Sequence, residues 1–343
     1  MEGKPHNLLK GKIGLILRLC VVVGAGYLIF QNLDCREFAA AFKQLRGWVI
    51  CTAIAVKFVS EGGMAFRWWL LLRALSIQIP LKTAVRLHFH GLFFSSFLPT
   101  STGGDFIRAW YVSRHTNKRV QSSLSVFVDR FTGLFSTALI AGAAYFLYFS
   151  GQGFFAVETK KISDVEGRYQ AWFWLFLVCF LALAVLFVLF SPKVRYFLKR
   201  GFLISREALR RVFVHIREII SVFLRKWWLF PLTVLITLFF QGLTIVSFWL
   251  IGLDLGVSGQ LQYYFVFFPL VWVIGVIPVS IAGLGILEGG VVLLFVKAAG
   301  ARAEAAAALA ICQRALFLIG ALPGIWVHLR ADYLPKKTDH IFY

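Results

Sequence analysis

Six ionisable side chains sit inside long apolar stretches, and they are where this sequence has chemistry to do: Asp105, Arg108, Asp129, Arg130, Glu288 and Arg314. A charge at the centre of a bilayer costs about 2.5–3.5 kcal/mol even on insertion scales, so each must face protein or a wet cavity and find a partner. An arginine held there offers a planar fork of donors that matches a phosphate. Asp105 and Arg108 lie three residues apart just after Gly103-Gly104, where a half-helix would begin. The unpaired N–H groups and positive dipole end of such a helix suit an anionic head group. Asp105 also reads as a helix cap that pairs with Arg108 one turn on. Glu288 has no basic neighbour in sequence. Its partner must come from elsewhere in the fold, or it must be protonated, which is how a proton-coupling residue would be built.

These residues point to phosphate binding by Arg108, Arg130 and Arg314. Ser101, Gly103, Gly104, Ser280, Gly283 and Gly285 line the same site, and Glu288, Asp105 and Asp129 are the coupling candidates. Lys57 and Glu61 are four apart and read as a mutual pair on one helix face, while Arg67 is expected to snorkel to the inner interface. His88 and His90 are two apart and do not share a helix face, so no metal site is expected. The sequence has no P-loop, no HExxH and no GxSxG elbow, which leaves ATP-driven transport and hydrolysis without a motif. The expectation is therefore a protein that is not an enzyme and needs no cofactor. The five cysteines show no CxxC spacing and mostly lie in apolar stretches, as small core hydrophobes do.

The elements that would position these residues are membrane helices. Hydrophobic residues make up 59% of the 343, and the apolar runs reach spanning length. The formal charge of +20 lies mainly in short loops beside those runs, where the positive-inside rule places it, so anionic lipid is the expected partner and nucleic acid is not. Full spans are expected at Ile13 to Phe30, Trp48 to Leu72, Ser123 to Phe149, Ala171 to Phe190, Trp227 to Ile251 and Ala305 to Leu329. The first is read as a retained helix rather than a signal peptide. Asp34 to Arg46 reads as an interfacial helix, and 191–226, with ten Lys or Arg against two Glu, as a basic amphipathic pair on the cytoplasmic leaflet.

Two breaks interrupt the pattern, Pro99-Thr-Ser-Thr-Gly-Gly104 and Pro278-Val-Ser-Ile-Ala-Gly283, with Pro, Ser and Gly at matching offsets. Proline and glycine free backbone groups that hydrocarbon cannot satisfy, so such backbone survives only inside protein or along a cavity. Corresponding broken segments in two halves of a membrane chain mark a transport site at a repeat interface. Basic residues flank the first segment, 84–113, on both sides; the second, 263–296, starts from the side that holds only Asp254. One hairpin thus enters from inside and the other from outside. The expected fold is an all-α polytopic membrane protein of about six full transmembrane helices plus two re-entrant helical hairpins in inverted-repeat arrangement. Each hairpin region, about 30 residues long, can alternatively be read as one kinked span. The whole of 1–343 is taken as a single membrane domain, its first half 1–150 and its second 171–335, with both termini cytoplasmic.

At these residues the chain resembles the flippase-like membrane family that includes the transmembrane region of lysylphosphatidylglycerol synthases. The resemblance rests on Phe97-Leu-Pro-Thr-Ser-Thr-Gly-Gly-Asp-Phe-Ile-Arg108, Val128-Asp-Arg-Phe-Thr-Gly133, Pro278-Val-Ser-Ile-Ala-Gly-Leu-Gly-Ile-Leu-Glu-Gly289, and Gln313-Arg314 followed by Leu322-Pro-Gly324. The family pattern has an Arg just before the Glu of the second break, where this chain has Leu287. The resemblance implies a lipid flippase of a prokaryotic cytoplasmic (inner) membrane that moves an anionic phospholipid or a polyprenyl-phosphate-linked lipid. No aminoacyl-transfer domain accompanies it here, so the chain is not expected to make lysyl-lipid by itself. Membrane lipids are the expected partners, with a lipid-modifying enzyme and a second copy of the chain as further candidates. Two rival readings are an integral-membrane transferase on lipid-linked substrates and a scaffold for a partner synthase. The transferase would need a carboxylate cluster that the separated Asp105, Asp129 and Glu288 do not supply by spacing.

Overall fold

The computed structural model describes residues 35–97, 103–116, 119–149, 226–257, 259–276 and 283–330. Among them every regular element is a helix: α1 (Cys35–Lys43), α2 (Gly47–Ala74), α3 (Leu81–Phe97), α4 (Gly103–His115), α5 (Arg119–Phe149), α6 (Leu229–Asp254), α7 (Leu261–Gly275), α8 (Ile286–Ala299) and α9 (Ala303–Arg330). The contacts below fall within one of the chain's two compact units, the one joining Met1–Tyr148 to Trp228–Tyr343. Of the second unit, Phe149–Trp227, the described residues are Phe149, Lys226 and Trp227.

Four of these helices are long and apolar enough to cross a membrane, over Gly47–Ala74, Gln121–Tyr148, Leu229–Asp254 and Ala303–Arg330. They coincide with four of the six expected spans; the other two, Ile13 to Phe30 and Ala171 to Phe190, lie outside the described residues, as does nearly all of 191–226. The protein is thus a multi-pass membrane protein. The expected interfacial segment is helical as α1 and packs against α9.

Each broken segment is two short helices folded back on one another. In the first, His90 lies against Tyr111 with ring centroids 5.2 Å apart, and Gly91 lies beside Arg108 and Gly104. These pairings run in opposite directions along the chain, so α3 and α4 are antiparallel. A Cβ on Gly104 would overlap the Gly91 carbonyl and Ser95, so glycine here sets how closely the helices approach. In the second, Leu287 sits over Gly275, Val271 against Gly290, and Phe295 against Phe267 at 5.0 Å, again an antiparallel pair. Helices of 17, 13, 15 and 14 residues are each about 20–25 Å long, short of the roughly 30 Å hydrocarbon layer.

Helices from the two expected halves pack together rather than forming separate lobes. α2 runs antiparallel along α6: the Arg46 Nε and backbone N–H donate to Asp254 at 2.9 and 3.1 Å at one end. Ser60 donates to the Phe240 carbonyl, and Gly63 leaves room for the Phe240 ring, further along. α9 crosses α3 at Gly324, where a side chain would collide with the Phe89 carbonyl. Its alanine-rich stretch Ala305–Ala310 is buried, as is the aromatic core of Phe248, Tyr264, Phe267, Phe268 and Phe295 between α6, α7 and α8. Phe248 and Phe268 stack at 4.6 Å.

Candidate functional site

The sequence places Asp129 and Arg130 ten and eleven residues into α5, and Asp105 and Arg108 in the first two turns of α4. Folding α4 against α3, with α3 packed on α2 and the side chains of α4 reaching α2 and α5, brings the four side chains together. Arg130 donates to both Asp105 oxygens, at 2.7 and 3.1 Å. Arg108 reaches Asp129 at 3.2 Å and Asp105 at 3.7 Å, with its guanidinium 4.0 Å above the Trp68 ring. Asp105 therefore does pair with Arg108 one turn on, and with Arg130 besides. The Arg108 side chain is 6% exposed and the Asp129 side chain 5%, whereas Arg130 is 48% exposed and forms the accessible edge of the cluster.

The fifth member was not foreseen. Arg67 was expected to snorkel to the interface; instead its side chain is 6% exposed and its Nε and Nη2 donate to Asp129 Oδ1 at 3.0 and 2.8 Å. It also donates to Thr237 Oγ1 on α6 at 2.6 Å. The physical reason is helix length and face. α2 continues to Ala74, which leaves Arg67 about 10 Å from the helix end. Ser60, Gly63 and Arg67 recur at i, i+3 and i+7, one stripe turned towards α6. That spacing was the available signal, and it outweighs the position of Arg67 near the basic end.

The chain Arg67–Asp129–Arg108–Asp105–Arg130 holds three guanidiniums against two carboxylates. Arg108 Nε is buried there without a hydrogen-bond partner. Beside it, Glu61 accepts from Lys57 as the i, i+4 spacing implied, and its second oxygen meets His88 Nε2 at 2.9 Å. His90 pairs with His328 at 3.1 Å. Among the described residues no group of three His, Cys, Asp or Glu is arranged to hold a metal ion.

The second break builds a smaller pair. Gly285 takes a φ of +81°, a left-handed conformation that favours glycine, and begins α8. Glu288 one turn on accepts the Gly285 N–H at 2.7 Å with one oxygen and the Arg314 Nε at 2.5 Å with the other. Of the two alternatives for Glu288, the structure supplies a partner from elsewhere in the fold. Leu287 is packed over Gly275 and Gly283 inside the hairpin, and the guanidinium that meets Glu288 comes from α9. Arg314 thus belongs to a different ion pair from that of Arg108 and Arg130. Gly103 and Gly104 are buried at the start of α4, and Gly283 is buried before α8; Ser101 and Ser280 lie outside the described residues.

A search among curated proteins found no match. The profile of one family, described as the lysylphosphatidylglycerol synthase TM region, matches residues 15–324 and so takes in both hairpins and both sets of ion pairs. On that match, which covers most of its length, the chain belongs to the lysylphosphatidylglycerol synthase transmembrane-region family.

Proposed function

We propose that this protein is a lipid translocase that carries an anionic head group, of a phospholipid or a polyprenyl-phosphate-linked lipid, across the cytoplasmic membrane. The observation that carries the reading is the buried cluster with three guanidiniums against two carboxylates. In low dielectric an uncompensated positive charge is expensive, and a bound anion is what relieves it. Arg108 Nε is a buried donor with no partner, and Arg130 gives the cluster an accessible edge. The two nitrogens of Arg130 grip Asp105 as a fork, the geometry a phosphate would also offer. Asp105 acts as an internal stand-in that holds Arg130 and Arg108 while no head group is bound. An arriving phosphate displaces it, and the carboxylate retakes the arginines on release. Moving the lipid this way breaks no covalent bond, so the chain works as a carrier rather than an enzyme.

The two hairpins frame the path. Charge bias puts the bases of α3 and α4 inside and those of α7 and α8 outside, an inverted arrangement. The Arg46–Asp254 tie supports this, because it joins two chain positions that the bias assigns to the same outer face. Counted along α5, Asp129 is ten residues from the inner end, and along α9 Arg314 is eleven from the outer end, so both pairs lie about 15 Å deep. Energy comes from the membrane potential, the lipid gradient, or protonation of Glu288, Asp105 or Asp129.

The test is transport of a fluorescent phosphatidylglycerol in proteoliposomes by wild type, Arg108→Ala and Arg314→Ala. Both variants are expected to insert and give a monodisperse profile in detergent while transport falls to background. Near-normal transport by both would make these arginines architectural and remove the basis for the reading.

A further inference from the structure

Glu61 stands at the middle of the 28-residue α2 and is held from two sides. Lys57 donates to one of its oxygens at 2.5 Å, and His88 Nε2 on α3 meets the other at 2.9 Å. A carboxylate facing a lysine can only accept, so Nε2 carries the hydrogen and Nδ1 keeps a bare lone pair. That Nδ1 is buried and, among the described residues, has no hydrogen-bond partner; the His88 side chain is 7% exposed. One helical turn on, Gly91 lies against the Arg108 side chain, so the His88 face of α3 is the face that meets the arginine cluster. Besides Glu61, the charges that act on the ring are Arg108 from α4 and Asp129 from α5. α9 also packs on α3, but it presents Phe317 and Gly320 to the Lys57 stem, and its Arg314 and His328 are turned to Glu288 and His90.

We propose that His88 Nδ1 takes up one proton with each anionic lipid, so that head group and proton cross the membrane together. This rests on the carrier reading above and names its energy source. The charge count fixes the coupling. Lys57, Arg67, Arg108 and Arg130 stand against Glu61, Asp105 and Asp129, which leaves the empty site with an excess of one positive charge. A proton on His88 alone would double that excess in low dielectric, where unpaired charge is costly. A head group with one negative charge, seated on Arg108 and Arg130, cancels the excess, and the proton then restores it and no more. Each ligand thus lowers the cost of binding the other, and the linkage is reciprocal. The loaded site carries the same charge as the empty one, and lipid and proton together transfer no net charge. When the head group leaves, the proton leaves the Nδ1 lone pair for water, so no bond other than that N–H forms or breaks.

The experiment uses the full chain in phosphatidylcholine liposomes with a trace of acyl-labelled fluorescent phosphatidylglycerol, its leaflet ratio read with dithionite, which bleaches the outer leaflet alone. Under an imposed pH gradient, with the potential clamped, the label is expected to gather in the leaflet facing the alkaline side, by about tenfold per pH unit at one proton per lipid. A potassium diffusion potential set with valinomycin at equal pH should leave the ratio unchanged, because no net charge crosses. In His88→Gln, where Glu61 keeps a donor but no proton can be taken up, the ratio should stop following pH and follow the potential instead. Label that equilibrates in wild type without regard to the pH gradient, or that the potential redistributes, overturns the coupling and leaves the carrier reading standing. A His88→Gln protein that still follows pH overturns the assignment to His88. No movement of the label in wild type removes the carrier reading and the coupling with it. The two wild-type measurements need no variant to fold.

Discussion

At the level of single residues, the cluster's charge count makes a prediction that can be ordered by sign. Asp129 receives both Arg67 and Arg108, so Asp129→Asn leaves three guanidiniums facing Asp105 alone. Breaking a buried ion pair by removing one partner costs about 3–5 kcal/mol, and this change raises the excess positive charge as well. Arg67→Met removes a guanidinium and brings the cluster to two of each sign, with Asp129 still held by Arg108. It should therefore destabilise less than Asp129→Asn, by about 1–2 kcal/mol, in denaturation followed in one detergent. On the carrier reading proposed above it should also weaken anionic-lipid transport, because the positive excess that would recruit the head group is gone. If Arg67→Met proves the more damaging of the two, the excess charge is compensated by some other group. Glu288 belongs to the same scale. With Arg314 and the Gly285 N–H on its two oxygens, Glu288→Gln keeps the cap but loses the charge. Transport rate against pH for wild type and mutant in the same liposomes decides its role. A coupling residue gives a flattened profile in the mutant; parallel profiles make the carboxylate structural.

At the level of elements, the first hairpin is held by close backbone approach at Gly91 and Gly104, the second by side chains of one helix seated on glycines and rings of the other. Gly104→Val would force α4 away from the Gly91 carbonyl and carry Arg108 off Asp129, so transport should be lost while insertion survives. Cysteines at Ser101 and Ser280 test the hairpin geometry itself. Both are expected to react slowly with impermeant maleimide, as tips held at depth do, and fast labelling of either as an ordinary loop would refute the re-entrant arrangement. Much of this level was readable from the chain. Apolar runs of spanning length located α2, α5, α6 and α9, and Pro99, Gly103 and Gly104 marked the fold-back between α3 and α4, because proline and glycine act on the local backbone. What was not readable was partnership across helices. Arg67 meets Asp129 across 62 positions of sequence, and Arg314 meets Glu288 across 26. Residue type announced that each needed a partner, but only packing chooses which. Arg67 was misplaced because its nearness to a basic helix end was weighed above the Ser60, Gly63 and Arg67 stripe.

At the level of the whole molecule, the proposed path through the two ion-pair sets depends on orientation. α2 and α6 are antiparallel and tied at one end by Arg46 and Asp254, while α3 and α9 bring Arg86 and Arg330 to a common groove. These are independent packing facts, and they agree with the single orientation that charge bias assigns: Arg46 and Asp254 outside, Arg86 and Arg330 inside. Asp254 is the only charged residue between Trp227 and Glu288, so pairing it neutralises that end of α6 and leaves the basic ends to set the topology. In a cysteine-free background, Arg46→Cys should therefore label with impermeant maleimide added to intact cells, and Arg330→Cys only after permeabilisation. Arg46→Cys with Asp254→Cys should cross-link with a short bifunctional thiol reagent, since the Arg46 backbone N–H and side chain both reach the Asp254 carboxylate. Reversed labelling would turn the protein over and put the first hairpin's base outside. The cluster of Arg108 and Arg130 would then be filled from the outer leaflet, and the direction from which the lipid is first captured would change with it.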